Sequence, residues 1–498
     1  MEKNQREQQI QERRMDQTRY NIPKNFNNLE EYFQWIKSGI EGDKVRGAPI
    51  PIIELRKLLS GHGGLPIKQV VDAGFLPFIV KNYLQSENRR LKCEGAWCLV
   101  NFTTIDDEEG VIRKIGSYSR GKLFEVIVED IQKERIEVEL LDNLLMVVSN
   151  VMAENARYRD YFLDQDIIGI IVGLIERHIE ELGILVNGVA IIANSIRHEQ
   201  TLDFRRVEQC ISLLKYLLHN PCDDVKEQVF WAFGYMLDHS KKHLEFIRDR
   251  TAECIMEFVN PRIKNKLLFP ALRFVGSYTD QSDEIIESIV ELGLPKCLAE
   301  LTKHGEMNVR KEAIWALSNF MGSSKKVQQK TFNTKVDGEL IVVKIIEILK
   351  LTYEQEIVKN QCVWFLGNTF SKAPKEAIEL MILKLGIANV LSDQLFKTDP
   401  KYLESVLRAI NELFARGIML DTIKENGIKK RLLELSDNAN GSVKNLLQKI
   451  LRNFFPEKEN KLMEGVTQMM EDLGIDEYCD DDEPPPLEDD SSSDEDEF

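Results

Sequence analysis

The sequence predicts an all-α solenoid, and three observations predict it. The first is a pair that recurs in apolar surroundings, a Trp followed four residues later by an Asn. It occurs as Trp97 and Asn101 in G-A-W-C-L-V-N, Trp315 and Asn319 in I-W-A-L-S-N, and Trp364 and Asn368 in C-V-W-F-L-G-N. Residues at i and i+4 share one face of a helix, one turn apart. The second is a register that persists where the pair itself varies. Trp231 leads Tyr235, Arg273 leads Ser277, and Asn150 and Asn194 stand four residues after Met146 and Ala190. The leading positions 97, 146, 190, 231, 273, 315 and 364 are 49, 44, 41, 42, 42 and 49 residues apart, and a weaker rung follows at Arg408 in R-A-I-N-E. The third is composition: 43% of residues are hydrophobic, helix formers dominate, and strand-like alternation is sparse.

A period near 42 residues is the armadillo/HEAT length. One such unit cannot bury its apolar face alone, so units stack into a continuous core. Taken in order, residues 1–23 are polar and carry Arg6, Arg13, Arg14 and Arg19, with too few apolar residues for a core. L-E-E-Y-F-Q-W-I-K-S-G-I, residues 29–40, reads as an amphipathic helix that opens the solenoid. Pro49 and Pro51 introduce I-I-E-L-R-K-L-L, the last helix of an atypical first repeat whose outer side faces water. Gly74, Gly293, Gly386 and Gly427 precede fresh apolar helices, where a left-handed glycine ends the preceding one. The 23 and 22 residues from Gly74 to Trp97 and from Gly293 to Trp315 leave room for one helix, a turn and part of the next. Each repeat therefore has three helices, with the Trp/Asn helix third. S-V-K-N-L-L-Q-K-I-L-R-N-F-F ends the array near Pro456, so the solenoid spans residues 24–456. Residues 457–498 form an acidic, Ser- and Pro-containing disordered tail.

Charge and cysteine usage narrow the function. The net charge is −17, but residues 471–498 hold fifteen Asp or Glu and no Lys or Arg, which leaves about −2 for the body. A nearly neutral body argues against direct nucleic-acid binding. The eight cysteines form no C-x-x-C, which suits buried thiols in a reducing compartment. The apolar run from Ile167 to Ile175 is too short to cross a bilayer, so membrane insertion is not expected. No P-loop, nucleophile elbow or H-E-x-x-H motif is present, and an enzyme is not expected. His239 and His243 have helical i,i+4 spacing without a third ligand, so neither metal nor cofactor is expected.

The ladder itself carries the chemistry. An Asn amide both donates to and accepts from a peptide backbone, so a row of them holds an extended chain. Adjacent indoles form slots for the methylene stem of Lys or Arg, with cation–π attraction to the head. A lone Trp is ordinarily core filling, but three W-x-x-x-N pairs in register favour a binding face, since a buried Asn would need partners.

These residues resemble the importin-α family over roughly residues 5–460. The most specific pieces are K-E-A-I-W-A-L-S-N, A-L-R-F-V-G-S, F-W-A-F-G-Y-M-L-D and Y-R-D-Y-F-L. The resemblance implies a right-handed superhelical solenoid of about ten armadillo repeats, with two basic-peptide sites on a concave groove. It implies a nuclear import adaptor that binds basic nuclear localisation signals of cargo, couples them to importin-β, and shuttles between cytoplasm and nucleus. Carried over by motif, a major site comprises Trp97, Asn101, Asn150, Glu154, Asn194 and Trp231. A minor site comprises Tyr235, Arg273, Asp283, Glu312, Trp315, Asn319, Trp364 and Asn368. Glu154, Asp283 and Glu312 are the acidic groove-edge positions. The resemblance also implies that an export receptor engages residues 440–498.

The sequence departs from the family in two places. Met146 and Ala190 replace two major-site tryptophans, which removes the slots around a key ligand lysine, and Gln361 replaces the acidic residue before Trp364. The expectation is a protein that relies on its minor site. Q-R-E-Q-Q-I-Q-E-R-R-M, residues 5–15, resembles the distal half of the importin-β-binding segment, with Arg6, Arg13 and Arg14 but Glu12 in place of a lysine. Weak importin-β coupling is one reading. Another is an armadillo interaction scaffold of the catenin kind, whose groove typically presents basic residues to acidic ligands.

Overall fold

A computed structural model describes residues 29–46, 50–60, 67–77, 79–80, 86–104, 110–117, 122–154, 156–198, 202–239, 251–279, 283–425, 428–436, 439 and 441–455. They fall into two compact units divided after Ala373. The N-terminal segment with Arg6, Arg13 and Arg14, Gly427 and the acidic tail lie outside the described residues.

The first unit opens with α1 (Leu29–Arg46), longer than the 29–40 reading, and α2 (Ile50–Ser60). Its long rung helices follow as α3 (Arg89–Thr103), α4 (Val138–Glu154), α5 (Leu182–Ile196), α6 (Asp223–His239), α7 (Asn265–Thr279), α8 (Met307–Gly322) and α9 (Glu356–Lys372). Shorter helices separate them. Between α4 and α5 these are Ala156–Asp164 and Ile167–Arg177, so the three-helix repeat with the rung helix third is observed. The second unit comprises α10 (Lys375–Leu383), α11 (Ile387–Gln394), α12 (Pro400–Ala415), α13 (Leu420–Glu425), α14 (Ile428–Ser436) and α15 (Gly441–Phe454). Within it, α12 packs on α15 and α11 on α14.

Local chemistry sets the helix ends. The Asn88 side chain accepts from the backbone N–H groups of Arg90 and Leu91 and starts α3. Asp399 accepts from Tyr402 N at 2.7 Å, with Pro400 in the first turn of α12. Gly293 (φ +92°) and Gly386 (φ +62°) adopt the left-handed conformation expected of them before Leu294–Leu301 and α11. One element was not foreseen. Lys335–Val336 pairs antiparallel with Glu339–Leu340 across a turn in which Asp337 (φ +53°) and Gly338 (φ +83°) are both left-handed.

Consecutive rung helices pack side by side from α2 through α9. The α4 stripe of Leu141, Leu144, Leu145, Val148 and Val151 is fully buried, at about 1.5–3 kcal/mol per side chain. The run beginning at Ile167 is a second helix of a repeat, with Ile167, Ile171, Leu174 and Ile175 in the core. No helix among the described residues is long and apolar enough to cross a membrane. Cys93, Cys98, Cys210 and Cys362 are buried free thiols, and burial pushes the Cys93 and Cys210 thiols up to about 12.

Candidate functional site

The lead and +4 positions of each rung helix lie along one face of the first unit, and the +4 Asn and Ser side chains reach back to the preceding helix. Asn101 Nδ2 donates to Ser60 Oγ at 3.0 Å and Asn150 Nδ2 to Thr103 Oγ1 at 3.2 Å. Asn194 Nδ2 donates to Ser149 O at 2.8 Å and Oγ at 3.1 Å. Asn319 Nδ2 donates to Gly276 O at 3.0 Å, and Asn368 Nδ2 to Ser318 O at 2.8 Å. Carbonyl oxygens only accept, so the amide edge facing Ser149, Gly276 and Ser318 must be the NH₂. Where the rung carries Ser277, its hydroxyl donates to Asp238 Oδ1 at 2.6 Å.

This arrangement corrects the picture of a wholly solvent-facing Asn ladder. One amide hydrogen of each rung Asn fastens one repeat to the next, which satisfies a polar group that would otherwise be costly to cover. Asn101 and Asn194 are buried outright. Asn150, Asn319 and Asn368 are half-buried, and what they offer a ligand is chiefly Oδ1.

The lead positions differ among themselves. Trp364 is 44% exposed, with Ile357 exposed two turns earlier on the same face of α9. Trp315, on α8, is half-buried against Gly276 of α7. Trp231 is enclosed: Tyr235 stacks on it with centroids 5.8 Å apart, Phe269 meets it edge-on at 5.6 Å, and 8% remains exposed. Met146 and Ala190 fill their sites as core residues. The predicted major site thus has two intact Trp positions, Trp97 half-buried and Trp231 enclosed, whereas the Trp315 and Trp364 rungs sit on adjacent, packed helices.

Arginines cover two of the indoles. Arg56 lies over the Trp97 ring at 4.1 Å and pairs with Glu94 at 2.6 Å. Arg273 lies over the Trp315 ring at 4.6 Å and pairs with Asp238 at 3.0 Å. Arg56 was not among the expected site residues, although its place 41 residues before Trp97 could have found it; Asp238, 35 residues before Arg273, falls off the period and carries no such signal.

The acidic residues do not form a common rim. Glu312 is 1% exposed, bonded to Lys311 at 2.7 Å, with Oε2 4.0 Å from Arg273 Nη1. It lies three residues before Trp315, on the side of α8 that faces α7, and this buries it rather than leaving it at the edge. Glu154 is half-buried near the end of α4, within electrostatic reach of His198. Asp283 begins the helix Asp283–Glu291 rather than lying on a rung, and its side chain is outside the description.

His198 and His239 repeat one device: their Nε2 atoms meet the carbonyls of Met152, at 2.8 Å, and Ile196 in the preceding repeat. His243 lies outside the described residues, and among those described no three His, Cys, Asp or Glu come together as a metal site.

Comparisons with known proteins agree with this architecture. A family model for the armadillo/beta-catenin-like repeat matches residues 282–321, which include all of α8 but its last residue. Rice importin subunit alpha-1a is 24% identical over 298 residues, covering 58% of this chain and 53% of the relative. Importin subunit alpha-2 of Caenorhabditis elegans is 25% identical over 271 residues, covering 53% and 49%. The chain thus spans about half the length of these two curated relatives. Importin subunit alpha-4 of Arabidopsis thaliana is 22% identical over 461 residues, covering 88% of this chain and 80% of the relative. The crystal structure of an engineered protein superposes with a TM-score of 0.65 at 20% identity, covering 86% of this chain and 99% of that one. The fold is an all-α solenoid of armadillo repeats.

Proposed function

We propose that the rung face of the first unit binds an extended, basic segment of a partner protein, and that the protein is a nuclear import adaptor. The observation that carries this reading is the pair of adjacent rungs Trp315/Asn319 and Trp364/Asn368. Indoles on packed neighbouring helices flank the stem of a ligand Lys or Arg, while Asn319 and Asn368 keep an Oδ1 for the ligand's backbone N–H groups. Trp364 provides the most exposed indole on the face, and Arg273, Asp238 and Glu312 supply local charge beside Trp315. Such a protein acts by binding and releasing, and no step needs a cofactor or bond making.

The importin-α relatives support the cellular role: cargo carrying basic nuclear localisation signals, coupling to importin-β, and passage between cytoplasm and nucleus. In this reading Arg6, Arg13 and Arg14 belong to a short importin-β-binding-like segment, and residues 440–498 engage an export receptor. Glu154 and Asp283 are acidic contacts for ligand cations. Tyr235 backs Trp231, and Trp97, Asn101, Asn150 and Asn194 form a weaker, major-site-like stretch. A second reading rests on the repeat match alone: an armadillo scaffold of the catenin kind, or an importin-α-like protein without importin-β coupling.

Binding of two labelled peptides of equal length to the intact protein tests the choice, one rich in Lys and Arg and one rich in Asp and Glu. The adaptor reading predicts that only the basic peptide binds, and that immobilised importin-β retains the protein. Preference for the acidic peptide overturns it in favour of the catenin-like scaffold. Basic-peptide binding without retention on importin-β selects the uncoupled form.

A further inference from the structure

Two of the rung indoles already hold a cation, and the cation belongs to the protein itself. The Arg56 guanidinium carbon is 4.1 Å from the Trp97 ring centroid, and that of Arg273 is 4.6 Å from the Trp315 centroid. Both arginines occupy the lead position of the preceding rung, 41 and 42 residues upstream. A cation within about 6 Å over an indole face is drawn to the ring quadrupole. These guanidinium groups therefore fill the space ahead of each Trp that a ligand Lys or Arg would use.

We infer that Arg56 and Arg273 are built-in competitors for basic ligands, and that Arg273 sets how tightly a basic peptide is held at the Trp315 rung. The inference rests on the reading of this face as a basic-peptide site.

The surroundings of Arg273 are those of a cation site. Its guanidinium meets the indole face, Asp238 Oδ2 at 3.0 Å, and Glu312 Oε2 at 4.0 Å. That Glu312 oxygen is buried and accepts no hydrogen bond. A ligand ammonium or guanidinium that displaced Arg273 would meet the same ring and the same two carboxylates. Arg56 is held the same way, with Glu94 as its carboxylate at 2.6 Å. Among the described residues no cation lies over Trp364, so entry there is open while entry at Trp97 and Trp315 is contested. The opposite role for Arg273 is to pair with a carboxylate of the ligand, in which case its removal weakens binding.

The test is a double-mutant cycle on the full chain, read by fluorescence anisotropy of a labelled Lys/Arg-rich peptide. Wild type, Arg273→Ala, Trp315→Ala and the double variant are compared, with thermal melts checking the fold. Arg273→Ala is expected to tighten binding about tenfold. In the Trp315→Ala background that gain is expected to vanish, because the vacated slot no longer has its ring. A gain that persists without Trp315 reports only the loss of one positive charge and overturns the inference, as does unchanged or weaker binding. Arg273→Gln serves if the Ala variant melts early. Peptide that binds neither wild type nor Arg273→Ala overturns the basic-peptide reading as well, whereas binding that first emerges in Arg273→Ala supports both.

Discussion

Trp315 lies against Gly276 so closely that a Cβ on the glycine would stand 2.0 Å from Cζ3 of the indole. Gly276 and Arg273 thus fix one ring from the same helix, the first by having no side chain and the second by covering the ring face. Gly276→Ala is expected to drive the indole from its seat, destabilise the protein by about 1–3 kcal/mol, and weaken basic-peptide binding. Denaturant unfolding followed by Trp fluorescence checks it. An unchanged midpoint would show that the ring sits elsewhere.

The Asn ladder separates into residues that join repeats and residues that also face a ligand. Asn194 is buried with two bonds to Ser149, so Asn194→Ala is expected to cost about 1–3 kcal/mol and change peptide affinity little. Asn368→Ala is expected to cost about 1 kcal/mol and to weaken peptide binding several-fold, since Asn368 is half-buried with Oδ1 to offer. Stability measured beside affinity tells the two apart, and equal effects at both positions would contradict the division.

A bidentate ion pair joins α8 to the loop that starts α9. Arg310 Nε and Nη2 reach Glu354 at 2.9 and 2.8 Å, and both side chains are largely buried. Burial works against the Glu354 charge, but the Arg310 bonds and the Gln355 N–H outweigh it and hold the carboxyl below its usual range. Its stabilising contribution is therefore present above the ordinary Glu value and is lost as pH falls through the folded one. Arg310→Ala strips the buried carboxylate of its bidentate partner, leaving the Gln355 N–H and the Lys359 charge, and is expected to cost about 3 kcal/mol, measured by denaturant unfolding near neutral pH. A cost below about 1 kcal/mol would mean that the pair is no better than a surface one.

Acid is expected to loosen the joint at His198. Burial lowers its pKa, against the Met152 carbonyl that accepts from Nε2, and the unfolded chain takes up the proton first. The stability tied to the neutral ring is present above the ordinary His value of about 6.5 and is lost as pH falls. Unfolding midpoints at about pH 7.5 and about pH 5.5 should differ in wild type and differ less in His198→Gln. An equal drop in both would assign the pH effect to other groups.

The repeat, the three-helix unit and the rung register were legible because a 3.6-residue helix and a period near 42 place the side chains that must face the same way. The partners of the Asn amides were not legible. Ser149 O and Gly276 O are backbone atoms, and only the packing of one rung helix on the next brings them within reach. The covering arginines could have been read, since Arg56 and Arg273 stand one period ahead of Trp97 and Trp315. Spacing alone, however, does not say whether a side chain points to a ligand or lies on its neighbour. Glu312 was misplaced for the same reason: a carboxylate beside Lys311 reads as surface until α7 brings Arg273 against it.

The most direct measurement of the central claim is binding of a labelled Lys/Arg-rich peptide to the full chain, titrated in salt. It compares wild type with Trp97→Ala/Trp231→Ala and Trp315→Ala/Trp364→Ala. Salt-sensitive binding is expected to fall about tenfold or more in the second pair and much less in the first, because the adjacent Trp315 and Trp364 rungs hold the ligand and Trp231 is enclosed. Binding that is unchanged in the Trp315/Trp364 variant, or lost only in the Trp97/Trp231 variant, would contradict it.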